Sequence, residues 1–208
     1  MLAKKPPMEN LVVMPAFPLG VVVLPGEEFY LHIFEPRYRQ LIQEAHSNGT
    51  TFCIPYYDKG KTHEFGTVVR VKTVFSTYPS GEMDIAVEAT TIFNFSNLIE
   101  PSGDILYSSA LIEILKSPPA DASELLSLRP LLLEYLQLKK GEPVKLALQR
   151  PESSFDAAGL LNLPTEKKYL LISLSSESQR INWLKNELKI LLQSRKMELQ
   201  LNENFYLN

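Results

Sequence analysis

The chain has 208 residues, of which 45% are hydrophobic and 22% are charged, so it can bury a core of its own. The net charge of −3 argues against a nucleic-acid-binding protein, because such proteins usually carry an excess of Lys and Arg that neutralises phosphate. The single cysteine, Cys53, excludes an intramolecular disulfide and fits a reducing compartment.

The N-terminal segment starts like a secretion signal, with Lys4 and Lys5 ahead of an apolar stretch. Prolines at positions 15, 18 and 25 interrupt that stretch, and no small-x-small cleavage pattern follows it. The sequence therefore predicts strands of a cytoplasmic protein here, with neither a signal peptide nor a membrane span.

Residues 1–116 are predicted to form a β-rich domain. The predicted strands are 12–14, 21–24, 28–34, 51–57, 65–77, 83–89, 92–95 and 105–115. The clearest pair is a hairpin in which 65–77 and 83–89 alternate between apolar and polar residues, joined by a turn at Pro79-Ser80-Gly81. The inward side chains of its first arm are predicted to be Val69, Val71, Thr73 and Phe75.

One predicted helix interrupts the strands directly after residue 34. Pro36 suits the first helical position, because its missing N–H needs no partner there, and Glu35 falls near the N-cap. The side chains that recur at helical spacing are Tyr38, Leu41, Ile42 and Ala45. Asn48-Gly49 is predicted to end the helix.

Residues 117–120, Ser-Pro-Pro-Ala, are predicted to be a linker, and residues 121–208 a helical domain. Asp121 and Glu124 resemble a capping box at the start of a helix in which Pro130 is predicted to cause a kink or a break. Further helices are predicted at 152–163, at 165–174 and from 176 onward. The expected fold class is α+β: a β-rich domain with one helix, followed by an α-helical bundle.

Familiar catalytic and metal-binding motifs are incomplete in this chain. Gly60-Lys61-Thr62 ends like a phosphate-binding loop, but Pro55 occupies the position of its first glycine. His63-Glu64 starts like a zinc-protease motif, but Thr67 replaces the second histidine. No Gly-x-Ser-x-Gly elbow occurs, and Cys53 is predicted to be a small buried side chain rather than a nucleophile. The sequence therefore predicts no catalytic residue, no metal ligand and no cofactor.

The strand-to-helix corner holds the remaining candidate residues. They are His32, Glu35, Pro36, Arg37 and Tyr38. They could form a catalytic cluster or pin the corner structurally, and the structural role is favoured. His32 lies between apolar neighbours and is predicted to be a core histidine bonded to backbone. Glu35 is predicted to pair with an arginine, whose planar guanidinium suits a carboxylate. The candidates are Arg37, Arg39 and Arg70.

Several motifs of the chain occur together in one known family. Three of them are Phe17-Pro18-Leu19, Val23-Leu24-Pro25-Gly26 and the run from Leu31 to Tyr38, LHIFEPRY. Together they closely resemble the start of the N-terminal substrate-binding domain of Lon proteases. Phe65-Gly66-Thr67-Val68 falls where that family has a Gly-Thr or Gly-Cys pair, and residues 161–167, LNLPTEK, are similar to its Leu-Pro-x-x-x-Glu-Lys stretch. The similarity covers residues 11 to 197.

The resemblance implies a PUA-like β-barrel-type domain followed by a helical bundle. Inside Lon, such domains help to recognise unfolded or tagged proteins. This chain has no Walker motif and no Ser-Lys protease segment, so it resembles a stand-alone form of the domain. The implied partners are unfolded or tagged polypeptides, or a full-length Lon or another protease, with no nucleic acid and no membrane.

Three function classes follow from these observations. A non-enzymatic protein- or peptide-binding module is favoured, with the aromatic-rich segments at 56–57 and 75–78 either offering apolar surface or belonging to the core. An RNA-binding role is the alternative, but it rests on the PUA-like fold alone and the negative net charge opposes it. An undetected hydrolase is the third class, and no motif supports it.

Overall fold

The structure is a computed structural model that describes residues 11–116, 121–140 and 151–206, with backbone only at 140 and 202–206. The predicted linker at 117–120 lies outside these residues, as do Lys4 and Lys5. The described chain packs as two compact units. The first comprises 11–116 together with 163–173, and the second comprises 121–140, 151–162 and 174–206.

One antiparallel sheet of six strands forms the first unit. The strands are β1 (Leu11–Pro15), β2 (Glu28–Ile33), β3 (Thr51–Asp58), β4 (Lys61–Thr77), β5 (Met83–Ile99) and β6 (Ser109–Ile114). The order is β1-β6-β5-β4-β3, and β2 pairs with the first part of β5. After β1, Ala16 and Leu19 form isolated parallel bridges to Cys53 and Tyr56 of β3. No continuous strand pairing joins these segments, so the sheet of the described residues does not close into the barrel that the resemblance implies. The expected α+β class, with antiparallel strands and a helical C-terminal region, is confirmed.

The predicted strand at 21–24 is absent, although Val22, Val23 and Leu24 are buried. Val23 lies in the main core, and the Thr67 hydroxyl donates to its carbonyl oxygen at 2.7 Å. The apolar residues at 21–24 are therefore explained by burial in the core and not by pairing in a strand. The strands predicted at 83–89 and 92–95 are one continuous strand, β5.

The predicted alternation of β4 holds as far as Val71 and is wrong for Thr73 and Phe75. The pairing with β5 shifts register between Val71 and Thr73 and again after Val74. Because each extra residue in a bulge moves the following side chains to the opposite face, Val74 packs against the core while Phe75 points to solvent.

The predicted helix after the corner is confirmed as α1 (Pro36–Asn48). Gly49 ends it with φ +64°, and its N–H donates to the Ala45 carbonyl oxygen, as expected for a left-handed C-cap. The buried side chains of α1 are Tyr38, Leu41, Ile42 and Ala45, the four predicted ones. They lie in the main core of the unit with the inward side chains of β5, which are Met83, Ile85, Val87 and Ala89.

Helix α5 (Thr165–Ser173) packs with the strands of the first unit, whereas the sequence analysis assigned these residues to the helical domain. Lys168 Nζ lies 2.6 Å from Glu27 Oε2, and each of these side chains is only about one-fifth exposed (19% and 20%). The Tyr169 ring lies 5.1 Å from that of Tyr56 and 5.2 Å from that of His63. These charged and aromatic contacts hold α5 beside β4.

The second unit contains α2 (Ala122–Leu126), α3 (Arg129–Lys140), α4 (Ser154–Gly159) and α6 (Glu177–Tyr206). Pro130 stands at the start of α3, so it breaks the predicted helix into two instead of kinking one. The Asp121 carboxylate caps α2 by accepting from the Ser123 N–H at 3.0 Å. Within the described residues, no helix is both long enough and apolar enough to cross a membrane.

Candidate functional site

The motifs that look catalytic take up ordinary structural positions. Gly60 (φ +79°) and Lys59 (φ +50°) form the tight turn of the β3–β4 hairpin, so no helix N-terminus follows to hold a phosphate. His63 lies in β4, with its ring 4.7 Å from that of Tyr56. Cys53 is fully buried, and burial raises the pKa of its thiol to about 12. In the described part of the chain, no group of three or more His, Cys, Asp or Glu side chains is placed to hold a metal ion.

The strand-to-helix corner contains an ion pair at the surface. Arg37 Nη2 lies 2.8 Å from Glu35 Oε2, and the two side chains are 50% and 39% exposed. The Arg37 guanidinium also stacks 4.5 Å from the centre of the Tyr38 ring, which in turn stacks on Phe17 at 3.9 Å. Glu35 is the N-cap residue, but its side chain makes no cap hydrogen bond. A structural role for these residues remains a prediction.

His32 is not the core histidine that the sequence analysis predicted, because half of its side chain is exposed. Its Nδ1 lies 2.7 Å from Asp84 Oδ1, and its Nε2 lies 3.9 Å from Glu82 Oε2. The other oxygen of Asp84 accepts from the Tyr78 hydroxyl at 2.6 Å. These two bonds, the one from Tyr78 first, hold the pKa of Asp84 below its usual value, and the bond to Asp84 raises the pKa of Tyr78.

Exposed rings gather around His32 on the outer side of β2, β4 and the β4–β5 turn. We call this group the aromatic face. Its members are Tyr30, His32, Phe34, Phe75 and Tyr78. The four phenyl and phenol side chains are between 43% and 66% exposed. Large apolar side chains with this exposure are individually common on proteins, whereas a contiguous group of them is a candidate interaction surface.

The rings of the aromatic face contact one another. Tyr30 stacks on Phe75 with their centres 5.8 Å apart. His32 lies 6.2 Å from Phe34 on one side and 6.2 Å from Tyr78 on the other. These spacings suit ring–ring contact, which restricts the conformations of the side chains.

Charged pairs border the aromatic face. Lys72 Nζ lies 2.5 Å from Glu28 Oε1, and Arg70 Nη2 lies 2.6 Å from Glu88 Oε2. The bond from Arg70 lowers the pKa of Glu88, and the bond to Glu28 raises the pKa of Lys72. An apolar centre with a paired polar rim is the usual layout of a protein-binding surface.

Only part of this face is predicted from the sequence. Of the two aromatic segments proposed there, 75–78 supplies Phe75 and Tyr78, whereas Tyr56 at 56–57 is buried. Tyr30 and Phe34 were not predicted, because residues 28–34 were interpreted as one apolar strand. The strict alternation within that strand was the available signal: Phe29 and Leu31 pack inward, and the residues between them point outward.

Comparisons with known proteins agree on one family. The model of the ATP-dependent protease La (LON) substrate-binding domain matches residues 13–200. One similar solved structure is a Lon N-terminal domain protein from Xanthomonas campestris, with 20% identity, a TM-score of 0.62, and coverage of 83% of this chain and 96% of that one. Another is the N-terminal domain of a Mycobacterium avium complex Lon protease, with 16% identity, a TM-score of 0.67, and coverage of 86% and 98%. No curated protein matches the chain.

Proposed function

We propose that this chain, which belongs to the family of ATP-dependent protease La (LON) substrate-binding domains, is a non-enzymatic module that binds unfolded or tagged polypeptides through its aromatic face. The family supplies the class of ligand, because its name describes a domain that binds the substrate of a protease. The aromatic face is the proposed binding surface, and it is the single observation that places the binding site on the molecule.

The chemistry of the aromatic face suits a partner of variable sequence. Its rings offer apolar contact area without demanding a particular side chain, and rings already packed together lose little conformational entropy on binding. Unfolded polypeptides differ from folded ones mainly by exposing such apolar side chains. The face therefore favours unfolded chains over folded ones by the hydrophobic effect.

The absence of an enzymatic role is part of the proposal. The motif residues Gly60, His63 and Cys53 lie in a turn, in a ring stack and in the core, none of which positions a nucleophile beside a base. The proposed partners are unfolded or tagged polypeptides and a protease, such as a full-length Lon, that degrades them. The proposed location is the cytoplasm, which the single cysteine suits.

An RNA-binding role is the second candidate, because exposed rings on a sheet can also stack on unpaired bases. Two carboxylates beside the rings, Glu82 and Asp84, oppose it, since they would repel phosphate. The other two, Glu28 and Glu88, are already paired with Lys72 and Arg70.

The test is fluorescence anisotropy with a labelled, permanently unfolded protein and with a labelled structured RNA, each between 50 and 200 mM salt. Apolar binding should survive added salt, whereas binding through six or more phosphates should fall by roughly a thousandfold. Phe75→Ser should weaken polypeptide binding by about fivefold or more, which corresponds to a loss of about 1 kcal/mol or more in binding free energy. Tyr57→Ser is the matched control, because Tyr57 is also an exposed ring (45%, against 56% for Phe75) but lies outside the aromatic face. Salt-sensitive RNA binding without affinity for unfolded protein would favour the RNA-binding role over the polypeptide-binding role.

A further inference from the structure

Strand β2 is an edge strand: within the described residues it pairs with β5 alone. The register of that pairing shows which backbone groups are used. Ala89 N donates to Glu27 O at 3.0 Å, and Gly26 N donates to Ala89 O at 2.9 Å, so position 27 bonds to β5. Bonded positions recur at every second residue in an antiparallel pair. The odd-numbered residues of β2 therefore bond to β5, and the even-numbered ones turn their N–H and C=O groups to the open edge.

The open edge lies beside the aromatic face. Its even-numbered residues are Glu28, Tyr30 and His32. A strand added at this edge would continue both surfaces of the sheet. On one surface its side chains would lie next to the aromatic face, and on the other they would cover Phe29 and Leu31, which are only half-buried beside the core. Both surfaces favour apolar side chains in the added strand.

The His32 end of the edge carries two carboxylates. His32 Nδ1 lies 2.7 Å from Asp84 Oδ1, whereas its Nε2 lies 3.9 Å from Glu82 Oε2, which is beyond hydrogen-bond distance. In the described part of the chain, no Lys or Arg pairs with Glu82. A lysine or arginine side chain of a partner supplies a hydrogen-bond donor and the opposite charge.

We infer that β2 binds an extended, apolar polypeptide segment as an added strand, with a lysine or arginine of that segment at Glu82 and His32. The inference rests on the proposed function and adds how the polypeptide is held. Backbone pairing depends little on sequence, so it suits a module that accepts many unfolded chains, while the side chains beside the edge provide limited selectivity.

Peptides that lack particular backbone N–H groups test the strand addition. The parent peptide has nine residues that alternate Phe and Ser, with one Phe replaced by Lys. Its two faces differ, and the attraction between the lysine and Glu82 turns the Phe side chains toward the aromatic face. Two derivatives carry N-methyl groups, one on the Phe positions and one on the Ser positions. Only one of these sets of amides can face β2, so one derivative should bind at least tenfold more weakly and the other within about twofold of the parent. Equal losses for the two derivatives would overturn the strand addition.

Proline on the protein side provides the complementary test. Tyr30→Pro removes an N–H that faces the open edge, which an edge strand tolerates, and Tyr30→Ala removes the same ring but keeps the N–H. The proline variant should bind the parent peptide at least fivefold more weakly than the alanine variant, with both melting alike. Equal binding by the two would contradict the inference. If Tyr30→Pro melts early, the N-methylated peptides decide.

The charge preference has its own comparison. Replacing the lysine of the peptide by norleucine should weaken binding about threefold to fivefold, the range for half-exposed ion pairs. That difference should vanish in Glu82→Gln and persist in Glu100→Gln, a matched carboxylate after β5 that is also exposed. Equal affinity of the two peptides for the wild-type protein would overturn the lysine assignment alone. Failure of every peptide, together with failure of the unfolded protein, would contradict the proposed function itself.

Discussion

Replacing Lys168 by Met should destabilise the first unit by about 2 kcal/mol. The Lys168 ammonium lies 2.6 and 2.9 Å from the two carboxylate oxygens of Glu27, and Glu27 also accepts from the Leu24 N–H at 2.9 Å. Methionine keeps the aliphatic stem but leaves the Glu27 carboxylate four-fifths buried without its cation. Exposed pairs contribute roughly 0.2–1 kcal/mol, and loss of one partner from a fully buried pair costs roughly 3–5 kcal/mol, so this partly buried pair falls between them.

Amide hydrogen exchange in β4 and β5 measures this effect, because the slowest amides report the opening free energy of the unit that contains them. Glu27→Gln and the double variant complete a thermodynamic cycle, in which we expect a coupling free energy of about 1 kcal/mol. Lys59→Met is the matched control: it removes the cation of the exposed pair with Asp58 and should cost less than about 0.5 kcal/mol. If Lys168→Met and Lys59→Met lower the opening free energy by the same small amount, the ion pair between Lys168 and Glu27 does not hold α5 in the first unit.

Three further predictions follow from the described contacts. Arg37→Ala should cost under about 1 kcal/mol in a thermal melt, because its pair with Glu35 is half-exposed, and a loss above about 2 kcal/mol would contradict this. Gly66→Ala should lower the free energy of unfolding in urea by about 2–3 kcal/mol, since its Cβ would lie 2.4 Å from the Phe93 ring. Unchanged stability would contradict the close approach of Gly66 in β4 to Phe93 in β5. The Cys53 thiol, whose pKa is raised to about 12, should resist a thiol reagent at pH 8 until denaturant is added; rapid labelling of the native protein would contradict its burial.

The fold could be predicted where local signals agree with tertiary packing. In α1, Pro36, the apolar spacing and Gly49 all indicate the same helix, and the structure has it from residue 36 to 48. Prediction failed where an apolar run fits either a strand or a buried loop. Residues 21–24 are as apolar as a strand, but the Val23 carbonyl oxygen accepts from the Thr67 side chain and not from a neighbouring strand.

The sequence could not show the whole aromatic face or the division into two compact units, because these depend on bulges and on ion pairs between distant positions. The outward position of Phe75 depends on an extra residue in β4 that only the partner strand reveals. Lys168 and Glu27 are 141 positions apart, so nothing local shows that they meet. Arg180 made no signal in the sequence, yet it is fully buried, with its Nε 2.8 Å from Glu177 Oε2.

Photo-crosslinking from the aromatic face tests the central claim most directly. Benzoylphenylalanine replaces Phe75 in one variant and Tyr57 in another, since both positions are exposed aromatic residues of the same sheet. Each variant is irradiated with a labelled unfolded protein and, separately, with the same protein folded. We expect strong crosslinking of the unfolded protein at position 75 and little at position 57. We expect little crosslinking of the folded protein at either position. Equal crosslinking at the two positions, or none at 75 despite binding, would contradict the claim that the aromatic face holds the polypeptide.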